Sequence, residues 1–149
     1  MTLRRKAREL ALQLLYQWDV RGESTEKIEE AFWAGAKAAA KTREFAHRLF
    51  TGTVGAKEPL DALIEKHATN WRLERMSAVD RNILRLAAYE LNFGTAEPRT
   101  VLDEAVELAK KFSDDAAPGF VNGVLDAISK DESRTPNVET REPKDEGGE

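Results

Sequence analysis

No cysteine occurs among the 149 residues, which removes disulfide scaffolds, thiolate zinc sites, iron–sulfur clusters and cysteine nucleophiles. The lack fits a reducing cytoplasm, the expected location. Long apolar runs are missing too: none approaches the roughly 20 residues that span a bilayer, so no membrane contact is expected. The opening stretch MTLRRKARELALQLLYQW has the basic-then-apolar order of a signal peptide. Glu9, Gln13 and Gln17 interrupt its apolar part, however, and no small-residue cleavage site follows. Histidine is scarce, and His47 and His67 stand in no spacing that puts two metal ligands on one helix face. TGTVG around Gly52 and Gly55 lacks the Gly-Lys-Ser/Thr of a phosphate loop, and no Gly-x-Ser-x-Gly elbow exists. Acid pairs such as Asp103 and Glu107 are helical neighbours on a solvated face. No enzymatic activity, cofactor or metal is therefore expected.

Strand signals are equally sparse, because no segment alternates apolar and polar residues for long. Alanine, leucine, glutamate, lysine and arginine dominate residues 1–130, which predicts an all-α fold. Breakers divide this stretch into seven helices, near 2–21, 25–40, 42–57, 59–68, 77–93, 100–113 and 118–130. Gly22 and Gly94 suit C-terminal caps. Ser24, Thr42, Ser77 and Thr100 suit N-terminal caps, with Asp80 three residues after Ser77 as in a capping box. Pro59 suits a first turn. At 100° per residue Leu3, Ala7, Leu10, Ala11, Leu14 and Trp18 share one face of the first helix. Ile83, Leu84, Ala87, Ala88 and Leu91 do so in the fifth, and Val101, Ala105, Leu108, Ala109 and Phe112 in the sixth. Short connections between such helices predict packed antiparallel bundles.

The charge is unevenly spread. Residues 131–149 carry seven acids and three bases, which is the whole net charge of −4, and residues 1–130 are neutral. With one valine and no other aliphatic or aromatic residue, this stretch buries too little to offset its ordering entropy. It is expected to be a disordered acidic tail behind one helical domain, 1–130.

Within the neutral body, Arg4, Arg5, Lys6 and Arg8 precede the first acid. Arg4, Arg8 and Arg5 fall within about 100° on the first helix, apart from its apolar face, and Leu12 and Tyr16 extend that arc. Guanidinium forks match phosphates and stack on bases, so this arc is a candidate RNA surface, with Arg8 its best-held member. The opening of the seventh helix, Pro118-Gly119-Phe120, adds early amides that suit a phosphate. A purely protein-binding scaffold, whose arginines meet an acidic protein surface, is the alternative.

RRKARELALQLLYQWD, DRNILRLAAYEL, DEAVELAKKF and GFVNGVLD, in this order and spacing, resemble the bacterial NusB family of transcription antitermination factors over about residues 3–130. The resemblance implies seven helices in two packed bundles. It implies binding to the boxA element of nascent RNA as a heterodimer with NusE, a ribosomal small-subunit protein. Assembly with NusA, NusG and RNA polymerase, notably at ribosomal RNA operons, is implied as well. For RNA it points to Arg4, Arg5, Lys6 and Arg8, with Phe120 and Asn122 from the seventh helix. For NusE it points to Tyr16, Glu74, Asp80 and Arg85. Relatives often carry a basic residue where this chain has Gly119. Some relatives self-associate, so a homodimer is a further expected state. NusB-like domains also begin certain ribosomal RNA methyltransferases, but that reading needs a methyl-donor-binding domain, and the stand-alone factor is expected here.

Overall fold

The computed structural model describes residues 2–134. Among them the chain forms seven α-helices and no strand. These are α1 (Leu3–Arg21), α2 (Thr25–Gly35), α3 (Ala40–Gly55), α4 (Lys57–His67), α5 (Ala78–Phe93), α6 (Pro98–Phe112) and α7 (Ala117–Ser129). Short 3₁₀ turns occupy Leu73–Arg75 and Glu132–Arg134.

Several helix ends follow local chemistry. Thr2, Ser24 and Ser77 each accept a backbone N–H three residues on, and Gly22 and Gly94 close α1 and α5 in the left-handed region, at φ 69° and 64°. Three ends differ from expectation. α2 stops at Gly35, five residues early, because Ala36 turns extended, and α3 then starts at Ala40 without a side-chain cap. Thr42 is thus an interior, buried helix residue rather than a cap. α6 starts at Pro98, whose fixed φ suits a first turn, so Thr100 lies inside the helix.

α5 is the central helix, and every residue from Asn82 to Asn92 is buried. α1 and α3 pack on one side of it, with α2 outside α1. α4, α6 and α7 pack on the other, so the two bundles share α5. Close approach of α3 to α5 depends on Gly52, where a Cβ would collide with the Tyr89 phenol.

The expected tail boundary is corrected at its start. Asp131 accepts hydrogen bonds from Lys66 Nζ and pairs with His67 Nε2, both at 2.8 Å, and from Ser133 Oγ at 2.6 Å. These contacts fasten Glu132–Arg134 to the end of α4, which an apolar-content argument does not register. They also hold the Asp131 carboxyl far below its ordinary range, the Lys66 hydrogen bond contributing most. The rest of the expected tail, 135–149, lies outside the described residues.

Candidate nucleic-acid interface

The Thr2 cap places Arg4, Arg5 and Lys6 in the first turn of α1. Their side chains diverge. Arg4 is buried, donates to the Thr95 carbonyl at 2.8 Å and lies over the Phe45 ring, 5.0 Å from its centroid. Arg8 is 1% exposed and grips Glu90 of α5 through Nε (2.9 Å to Oε2) and Nη2 (3.0 Å to Oε1). Glu90 also accepts from Thr95 Oγ1 at 2.7 Å. The expectation of a three-arginine RNA surface with Arg8 its best-held member is therefore corrected, since Arg4 and Arg8 are buried. α1 packs against α3 and α5, so the Arg4 and Arg8 side of the arc is buried and Arg8 pairs with Glu90 inside the protein.

Arg5 and Lys6 remain exposed. Arg5 makes a fork with Glu104 of α6, Nε to Oε1 at 3.1 Å and Nη2 to Oε2 at 2.7 Å. It borders a groove of about 580 Å³ between α6 and α7 that Asn122, Gly119 and Lys110 also line. The groove continues past Arg5 to Lys111, which binds Glu9 at 2.9 Å. Arg5 and Asn122, distant in sequence, thus share one concavity.

Phe120 points elsewhere. It lines a separate, largely apolar cavity of about 420 Å³ with Trp71, Met76, Asp80 and Ala117. Trp71 meets it edge-on, with ring centroids 6.4 Å apart. Trp71 is half exposed and was missed in the sequence. Its signal was available as a lone tryptophan in a turn with no apolar periodic partner. Pro118 and Gly119 separate the two depressions. At the start of α7, Asp114 Oδ1 accepts Ala116 N–H (3.1 Å) and Ala117 N–H (3.0 Å), and Phe120 N–H donates to the Ala116 carbonyl (3.3 Å). A carboxylate thus already occupies part of the expected phosphate seat at that helix start.

The residues expected to face a protein partner also divide. Tyr16 is 41% exposed and continues the α1 stripe of Arg5, Glu9 and Leu12. Glu74 is exposed and pairs with Arg72 at 3.2 Å. Asp80 is half-buried and accepts from Ser113 Oγ at 2.6 Å, tying the start of α5 to the end of α6 instead of reaching back to its own cap. Arg85 corrects its expectation. It is 4% exposed and clamps Asp61 (2.7 and 3.1 Å) and Asp19 (3.3 Å). Burial acts to raise the Asp19 pKa. Hydrogen bonds from Arg81 and Asn82, with the charges of Arg85 and Arg81, outweigh burial and leave it lowered. Arg85 joins α1, α4 and α5 internally, a role that a wheel drawn on α5 alone does not reveal.

The NusB family model matches residues 5–130. The chain belongs to the NusB family. It is 46% identical over 139 residues to the transcription antitermination protein NusB of Trichlorobacter lovleyi, covering 91% of this chain and 98% of the relative. Against the NusB of Nitratiruptor it is 44% identical over 131 residues, covering 88% and 94%. Among solved structures, T. maritima NusB superposes with a TM-score of 0.78 at 36% identity, covering 86% of this chain and 91% of that one. A chain in the crystal structure of antitermination factors NusB and NusE in complex with dsRNA gives 0.76 at 38% identity, covering 86% and 96%. Family membership makes this chain a transcription antitermination factor. No helix among the described residues is long and apolar enough to cross a membrane.

Proposed function

We propose that the chain binds the boxA element of nascent RNA as a heterodimer with NusE, and joins NusA, NusG and RNA polymerase to suppress termination, notably in ribosomal RNA operons. The family match over residues 5–130 carries this reading. A relative in a NusB–NusE complex with RNA supports it. The chain acts in the cytoplasm without catalysis or cofactor.

In this reading Arg5 and Lys6 meet phosphates, Asn122 hydrogen-bonds in the same groove and Phe120, beside Trp71, offers a ring to an unstacked base. Arg4 and Arg8 hold α1 in place. Tyr16, Glu74 and Asp80 face NusE, where acids complement a basic ribosomal protein and tyrosine anchors the contact. Arg85 supports that face from within. Self-association through the basic end competes with RNA. Capture from a lysate with and without ribonuclease tests the reading. Recovery of NusE in both, with polymerase lost on ribonuclease treatment, is the expected result. Absence of NusE from both removes the heterodimer.

A further inference from the structure

The groove assigned to RNA is not a basic one. Asp103, Glu104 and Glu107 line it together with Arg5 and Lys110. Glu104 differs from the other two acids. Its side chain is only 14% exposed, and it holds both donors of the Arg5 fork. A carboxylate and a phosphate engage a guanidinium in the same bidentate way. The Arg5 side chain, by contrast, is 48% exposed and belongs to the first turn of its helix, so it is able to swing outward.

We infer that Glu104 sets the RNA affinity by occupying, in the free protein, the Arg5 fork that a phosphate takes in the complex. This rests on the reading of Arg5 as a phosphate contact. The exchange is feasible because Glu104 is not abandoned by it. Arg8 Nη1 lies 3.9 Å from Glu104 Oε1, so a second, buried cation stays beside the carboxylate when Arg5 leaves. A shielded acid with no remaining cation would oppose the exchange strongly. The incoming phosphate must still displace one anion and approach it closely, and both effects weaken binding by the chain alone.

The test is fluorescence anisotropy of a labelled single-stranded boxA RNA with the full chain. The variants are Glu104→Gln, Arg5→Ala, their combination, and Asp103→Asn. Asp103 is the control, since it lines the same groove and its loss changes the charge equally, yet its partner is the exposed Arg99 at 3.5 Å. Glu104→Gln is expected to tighten binding roughly three- to tenfold, the scale of a charge-assisted pair released from competition, and to exceed Asp103→Asn clearly. In the Arg5→Ala background that gain disappears. Melting midpoints are read alongside, with Glu104→Ala as a second variant should the glutamine fold poorly. Equal gains at Glu104 and Asp103, or a gain that survives Arg5→Ala, overturn the inference and leave only general charge. If Arg5→Ala itself leaves binding unchanged, the reading of Arg5 fails and the inference falls with it.

Discussion

Replacing Arg8 by alanine separates an RNA contact from an internal strut. Arg8 donates three hydrogen bonds to Glu90, at 3.2, 2.9 and 3.0 Å, and both side chains are almost wholly buried. Truncating one partner of such a pair leaves the other as an uncompensated buried charge, a loss of about 3–5 kcal/mol. For a domain of this size that lowers the melting midpoint by roughly 10–20 °C. Glu90→Gln alone is expected to be costly too, because it removes the counter-charge of Arg8 and sets an amide NH2 against one of its donors. Replacing the pair together, Arg8→Met with Glu90→Leu, should recover much of the loss, less the hydrogen bond stranded on Thr95 Oγ1. Circular dichroism melts and urea titrations measure each term, and a double-mutant cycle isolates the coupling. An Arg8→Ala chain that melts at the wild-type midpoint yet loses RNA affinity would refute this argument and return Arg8 to the RNA surface.

Gly119→Lys should strengthen RNA binding at low salt, because a Cβ there meets open space and the added cation lines the groove beside Asn122; anisotropy at two salt concentrations reads it. Asp131→Asn should lower stability at neutral pH. Because the folded-state pKa is depressed, the wild-type advantage is present above the ordinary carboxylate value of 3.8 and shrinks as pH falls below it, which melts at pH 7 and pH 3 compare. A chain ending at Lys130 should likewise melt below one ending at Arg134. Asp80→Lys should weaken NusE binding several-fold in calorimetry, with some loss of stability from the broken Ser113 contact measured separately. Gly52→Ala should destabilise by about 1–3 kcal/mol in urea, since Tyr89 fills the space a Cβ needs.

The helices were legible because capping and periodicity are local. Ser24, Ser77, Gly22 and Gly94 act within a few residues of themselves, and the apolar stripes of α5 and α6 name their buried faces. Burial of charge was not legible. Arg8 reads as a surface cation on an isolated wheel and the family resemblance put Arg85 on the partner face, and only the packing of α1 against α5 reveals Glu90 and Asp19 as their partners. The same limit applies at Asp131, whose partners Lys66 and His67 lie more than 60 residues away. Arg5 was named as an RNA residue on the arginine arc of the first helix, and Asn122 through the family resemblance. Their shared groove, and the acid that guards it, required α6 and α7 to be placed.

The central claim is tested most directly by titrating labelled boxA RNA with this chain, with NusE, and with an equimolar mixture. The account predicts weak binding by the chain alone, with log affinity falling against log salt at a slope of about −1.4 for two phosphate contacts at roughly 0.7 each. It predicts markedly tighter binding by the mixture, and a preference for boxA over a scrambled RNA of the same composition. Equal affinity for both RNAs, with no gain from NusE, would contradict it.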